Sequence, residues 1–176
     1  MLSLADVVRQ YEGGKPWFGD YIRTLYDCAV ETHALLIYEV GVFTGKSSNA
    51  FLSFLTPRGG RLISCDINPD CCHSVADSDF RQCWQFHLMS SEEFLAGLEA
   101  PADLVYLDGD HSYGTVSMEL PASWRLVRPG GLLVVHDVEW PEEKRALLEW
   151  IPSNAHIRYA SIGPGFAIVR KAISAI

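Results

Sequence analysis

The chain has 176 residues and a formal net charge of −8, with 48% hydrophobic and 20% charged residues. That length fits one domain (1–176, with 1–32 as an N-terminal helical segment) able to bury roughly 70% of its unfolded surface, and the composition excludes a disordered chain. The negative balance argues against nucleic acid as the main partner, because phosphate binding needs a basic surface. No apolar run approaches the ~20 residues of a membrane helix, and MLSLADVVRQYE lacks the basic and apolar stretches of a signal peptide, so a cytoplasmic protein without a membrane partner is expected.

In chain order, Gly13-Gly14 is the only linker-like point. Phe18, Ile22, Leu25, Tyr26 and Ala29 then recur at helical steps and predict a helix over 17–32. Five short apolar runs follow: LLIYEV (35–40), RLISCD (61–66), WQFHL (84–88), DLVYLD (103–108) and GLLVVHD (131–137). Each suits a parallel strand buried on both faces. Helices are predicted between and after them, over 47–55, 70–76, 91–98, 115–126 and 142–150. Strands alternating with helices imply right-handed crossovers and an open, doubly wound sheet. At the end, HIRYASI (156–162) and FAIVRK (166–171) flank Gly163-Pro164-Gly165 and predict an antiparallel hairpin. The expected fold is α/β, a Rossmann-like doubly wound sheet of seven strands, mostly parallel with that C-terminal antiparallel hairpin.

Cysteine usage says little about a site. Five cysteines cannot all pair within one chain, and Cys65, Cys71, Cys72, His73 and Cys83 lack the ligand spacing of a zinc finger. Reduced thiols are expected.

The segment Glu39-Val40-Gly41-Val42-Phe43-Thr44-Gly45-Lys46-Ser47 leaves the first strand and opens a helix. Gly41 permits a sharp turn, Gly45 a close backbone approach, and the helix amides with the Ser47 hydroxyl can hold a carboxylate. Gly45-Lys46-Ser47 misses the phosphate-loop spacing, and Phe43 fills the place where a dinucleotide fingerprint needs its second glycine. An acid ahead of the first glycine suits a cationic amino-acid ligand. The second strand closes on Asp66, placed to accept from ribose hydroxyls. Asp108, Asp110 and His111 end the fourth strand, and His136 and Asp137 end the fifth, so all face one crevice. Asp108 and Asp137 can share a hard divalent cation, which would acidify a substrate hydroxyl, and His111 can take the proton.

These motifs resemble class I S-adenosylmethionine-dependent methyltransferases of the O-methyltransferase type, over residues 36–171. EVGVFTGKS is similar to the E-x-G-x-x-x-G-x-S loop of the catechol and caffeoyl-CoA group, and DINPD (66–70) to its second-strand motif. YLDGDHSY (106–113), RPGG and HDV resemble the metal-dependent sugar and macrolide O-methyltransferases. The resemblance implies S-adenosylmethionine as cofactor. Its candidate contacts are Glu39, Gly41, Phe43, Thr44, Gly45, Ser47, Asp66, Ile67, Ser90, Ser91 and Asp108, with Met89-Ser90-Ser91 along the adenine. It further implies His111 as base and Asp108 as a catalytic group, with Mg2+ or Mn2+ at Asp108, His136 and Asp137. Val138 stands where the catechol group has asparagine, and His136 where the sugar group has an acid. Histidine is softer than magnesium prefers, which puts metal dependence in question.

The function expected is methyl transfer to a hydroxyl of a small molecule. A non-catalytic S-adenosylmethionine-binding module is the alternative, and a nicotinamide oxidoreductase is disfavoured by Phe43 and the hairpin. Trp17, Phe18, Tyr113, Trp140 and Trp150 are candidates for an aromatic acceptor pocket, although aromatic residues on helices are more often core. The sequence leaves the oligomeric state open, a homodimer included.

Overall fold

The computed structural model describes residues 17–71, 75, 79–154, 156–163 and 165–173. Its elements are α1 (Trp17–Glu31), β1 (Leu36–Val40), α2 (Lys46–Leu55), β2 (Arg61–Asp66), β3 (Trp84–Leu88), α3 (Ser91–Gly97), β4 (Ala102–Leu107), α4 (Tyr113–Leu126), β5 (Val127–His136), α5 (Pro141–Trp150), β6 (Ile157–Ile162) and β7 (Phe166–Lys171). They build one seven-stranded sheet in the order β3-β2-β1-β4-β5-β7-β6. The first five strands in that order pair in parallel, while β7 runs antiparallel to both β5 and β6. This is the expected Rossmann-like sheet with its antiparallel hairpin. The helix expected over 70–76 falls largely outside the described residues.

The period of two in the strands divides the core. Ile37, Leu104, Tyr106, Leu132 and Val134 face α1 and α2, packed with Ile22, Leu25, Phe51 and Leu55. Tyr38, Val40, Val105, Leu107, Leu133 and Val135 face the other way, against Phe94, Val116, Leu120 and Leu147 of α3, α4 and α5. Each fully buried large side chain contributes roughly 1.5–3 kcal/mol, so the two-sided covering explains why the central strands read as continuous apolar runs.

Helix α1 stops in a Schellman arrangement. His33, at φ 50°, donates its amide to Val30 and is followed by Ala34 donating to Ala29. Helix α4 begins at Tyr113 because the Ser112 hydroxyl accepts from the Thr115 amide, two residues earlier than the apolar pattern indicates. Strand β5 starts at Val127, so Arg128-Pro129-Gly130-Gly131 belongs to it, with a register shift against β4 between Ala102 and Leu104.

Strand register positions the site. Val40 pairs with Cys65 and Leu107, and Leu107 pairs with Val135. The residues that follow, Gly41, Asp66, Asp108 and His136, therefore emerge at one level along one edge. The order of connection reverses between β1 and β4, and open α/β sheets bind ligands at such a point, outside the carboxyl ends of the strands.

Candidate active site

A cavity of about 1100 Å³ opens along that edge. Its wall includes Gly41, Phe43, Thr44, Ser47, Asp66, Ile67, Ser90, Ser91, Asp108, His111, His136 and Asp137. Most of the sequence-predicted residues therefore converge. Ligand pockets usually hold about 300–1,000 Å³, so this volume is large enough for a cofactor and an acceptor together.

The glycine loop is shaped by backbone demands. Gly41 has φ 84°, and a Cβ there would lie 2.0 Å from the Asp108 carbonyl oxygen. Only glycine lets β1 leave the sheet so close to the end of β4. Gly45, at φ 80°, precedes α2 and donates its amide to Val42, but it is not part of the cavity wall. Phe43 is 74% exposed with φ 46°, an uncommon conformation for a non-glycine residue.

Asp66 holds this loop in place. Its Oδ2 accepts from the Val42 and Phe43 amides at 2.8 and 2.9 Å, and its Oδ1 accepts from Asn68 at 2.8 Å. A carboxylate has about four acceptor positions, so one remains for a ligand. Glu39 is placed differently from expectation. It is fully buried, lies outside the cavity wall, and accepts at Oε2 from Ser48 and Ser64 at 2.7 and 2.6 Å. Burial pushes its carboxyl pKa up to about 7, with the Ser47, Ser64 and Ser48 hydroxyls opposing. Ser90 caps α3, its hydroxyl accepting from the Glu93 amide.

Donors surround Asp108. The hydroxyls of Tyr106 and Tyr21 donate to Oδ2 at 2.7 and 3.4 Å, and His136 Nδ1 lies 3.0 Å from Oδ1. The two tyrosine oxygens are 2.8 Å apart. Burial, reinforced by the Asp108 charge, holds both phenols well above their ordinary range. Burial lowers the His136 imidazole, but the Asp108 hydrogen bond and the charges of Asp108, Asp137 and Glu139 outweigh it and leave the ring raised.

His111 is held from two sides. Its Nδ1 is 2.8 Å from Glu143 Oε2, and its Nε2 is 3.4 Å from Asp137 Oδ2. Trp140 stacks parallel to the ring at 5.8 Å between centroids. Glu143 is 2% exposed, and burial, then the charges of Asp137 and Asp108, push its carboxyl pKa up to about 8. Asp137 itself has φ 55°, a strained conformation that aims its carboxylate beside the ring.

One ligand atom each from Asp108, His111 and Asp137 fall within 4.8 Å of one another. This trio differs from the expected one, since His136 directs Nδ1 at Asp108 and supports that carboxylate instead. Glu143, Tyr21, Tyr106 and Glu119 are site residues that the sequence motifs do not single out. Tyr106 carries a signal, because it stands two residues before Asp108 on the same strand face. Glu119 sits on an otherwise apolar helix face between Val116 and Leu120, which is also a visible signal. Of the candidate pocket aromatics, Trp150 packs against Trp124, Tyr113 bonds Glu149, and neither lines the cavity. The side chains of Trp17 and Phe18 lie outside the described residues.

The profile of the family described as "Methyltransferase domain" matches residues 38–138, more than half of the chain, from within β1 to Val138. The chain belongs to this family. Comparison with curated proteins finds none that matches. Among solved structures, an O-methyltransferase from Bacillus cereus in complex with SAH superposes with a TM-score of 0.72 at 16% identity, covering 96% of this chain and 90% of that one. TomG, an O-methyltransferase from Streptomyces achromogenes involved in tomaymycin synthesis, bound to SAM, gives 0.73 at 20% identity, covering 96% and 87%. MycE methyltransferase from the mycinamycin biosynthetic pathway, with Mg, SAH and mycinamycin VI, gives 0.71 at 23% identity, covering 99% of this chain but 56% of MycE. At these identities the likeness shows a shared methyltransferase fold. No helix among the described residues is long and apolar enough to cross a membrane.

Proposed function

We propose that this methyltransferase domain moves the methyl group of S-adenosylmethionine to a hydroxyl oxygen of a small molecule, with His111 as the base. The observation that carries this reading is the convergence of His111, Asp108 and Asp137 beside the glycine loop in one cavity. The wall also fits the cofactor. Asp20, Asp66, Asp108, Asp110 and Asp137 outnumber Lys46, no arginine among the described residues lines the wall, and a sulfonium cation is welcome in such a field. Asp66 keeps an acceptor position for a ribose hydroxyl, and the amides and Ser47 at the start of α2 can meet the amino-acid carboxylate.

S-adenosylmethionine, when bound, supplies an electrophilic methyl carbon. The chain's own task is to place the acceptor oxygen in line with it and remove a proton. His111 Nε2 faces Asp137, and Glu143 fixes the ring through Nδ1. Asp108, oriented by Tyr106, Tyr21 and His136, presents a fixed acceptor to the same space. Phe43 and Ile67, 74% and 78% exposed, give the rim an apolar character.

A second reading rests on the 4.8 Å grouping of Asp108, His111 and Asp137. Two carboxylates suit Mg2+ or Mn2+, the imidazole tilts the set toward Mn2+, and such an ion would supply Lewis acidity toward the acceptor hydroxyl. His111 would then serve as a ligand. Transfer of labelled methyl from S-adenosylmethionine to a panel of hydroxylated compounds, with and without chelator, tests both readings. Transfer that survives chelation supports His111 as base alone; transfer that requires Mg2+ or Mn2+ supports the metal. Binding of S-adenosylhomocysteine without transfer to any acceptor would favour a binding module, and no binding would sink the proposal.

A further inference from the structure

Glu119 has no role in the chemistry above, yet it occupies the cavity wall. It lies on α4 and is 2% exposed, and its Oε1 has no hydrogen-bond partner among the described residues. A buried carboxyl oxygen without a partner carries an uncompensated desolvation cost, which a ligand donor would remove. The backbone above it is bare. A Cβ added at Gly109 would lie 3.8 Å from Oε1 and 3.2 Å from Val40 Cγ1, so this oxygen packs close beneath the residue that leaves β4. Ser91, at the start of α3, hydrogen-bonds the same carboxyl, and Asp110 adds its charge from the loop before α4. Glu119 thus shares the cavity wall with Ser91, which follows β3, and Gly109, which follows β4.

We propose that Glu119 recognises the base of the cofactor, its Oε1 accepting a hydrogen bond from the exocyclic amino group of adenine, and so selects an adenosyl ligand. This inference rests on the reading of S-adenosylmethionine as cofactor. With a ribose on Asp66, the base extends toward β3 and the start of α3, where Ser90, Ser91 and Glu119 meet. The base edge carries an amino donor beside a ring-nitrogen acceptor. Burial holds the Glu119 carboxyl pKa up at about 7, against the Ser91 hydrogen bond. Near neutral pH it can therefore accept from the amino group as a carboxylate or, when protonated, also donate to the ring nitrogen.

Calorimetry without turnover tests the inference, using S-adenosylhomocysteine and its analogue with purine in place of adenine. Wild-type protein is expected to bind the analogue about tenfold more weakly, the value of roughly one hydrogen bond. Glu119→Met fills the buried space without a polar atom. It is expected to bind S-adenosylhomocysteine about tenfold more weakly than wild type, and to bind the two ligands within about twofold of each other. Glu119→Gln, which both accepts and donates, is expected to restore most of the affinity and the discrimination. Thermal unfolding of each variant checks the fold, and the Gln variant alone still decides the matter if the Met variant does not fold, because lost discrimination there contradicts the proposal. Full discrimination in Glu119→Met overturns the inference while leaving the cofactor reading intact. Wild-type protein that does not bind S-adenosylhomocysteine overturns both.

Discussion

At the scale of single residues, the best-supported group is Asp108. Two phenols and an imidazole reach its carboxylate, and each phenol is buried enough to remain a donor. Tyr106→Phe keeps the packing against Phe51 and removes the 2.7 Å hydrogen bond. A hydrogen bond to a charged group contributes about 1.5–3 kcal/mol, so denaturant unfolding should register a loss in that range. Turnover should fall about tenfold as Asp108 gains freedom, with cofactor affinity nearly unchanged. An unaltered rate would leave Tyr106 a purely structural residue. For His111, the Gln variant preserves hydrogen bonding but cannot take up a proton. Turnover in that variant should drop by about 10²–10⁴ while calorimetry shows unchanged cofactor binding. The acids and histidines at the strand ends are legible in the sequence because strand ends project into the crevice whatever the helices do. Their supports are not: Glu143 reaches His111 from α5 and Tyr21 reaches Asp108 from α1, and no local pattern encodes contacts so distant in sequence.

At the scale of elements, the passage from β1 to α2 depends on Gly41 for two separable reasons, a left-handed φ and the Asp108 carbonyl against its missing side chain. Gly59 supplies the control, with φ 69° and nothing within 4 Å of an added Cβ. Gly59→Ala should cost about 1–2 kcal/mol in urea unfolding, the conformational penalty alone. Gly41→Ala carries the same penalty plus a clash of backbone against Cβ, and should cost roughly 3 kcal/mol or more. Equal costs would show that the loop moves away from β4 without difficulty. The strand bounds are more legible: β2, β3 and β7 run over the expected residues, because apolar runs bounded by polar turns mark a strand, although β3, at the sheet edge, is only partly buried and not covered on both faces as expected. Strand β5 begins at Val127, ahead of the expected start at Gly131, since Pro129 and Gly130 look like a turn. They are accommodated at the shifted register beside Ala102, where Gly130 has φ 78° and a Cβ on Gly131 would meet the Asp103 carbonyl at 2.7 Å.

At the scale of the whole molecule, the buried acids make folding depend on pH. Glu39 and Glu119 titrate near 4.5 when exposed, and burial pushes both up to about 7 in the folded chain. Between those values the native state holds protons that the unfolded chain has released. The stability each contributes is therefore fully present below about pH 4.5 and lost as pH rises through about 7. A tenfold difference in proton affinity between the folded and unfolded chain corresponds to about 1.4 kcal/mol, so each group can contribute up to roughly 3 kcal/mol to the decline. Glu143 and His136 are raised as well and add to the decline. Asp110 is lowered, so its effect falls in more acidic solution, and Cys28, pushed up to about 12 by burial, acts far above the range. Urea unfolding of chelator-treated protein without cofactor should give a midpoint that falls steadily from about pH 5 to about pH 8. Replacing both acids, Glu39→Gln with Glu119→Gln, removes their ionisation at similar shape and should flatten much of that fall. A midpoint that stays level or rises across the interval, or a double variant that keeps the full slope, would mean that water or local opening solvates these carboxyls in the native state. The raised pKa values, and the neutral Glu119 they allow, would then have to be abandoned.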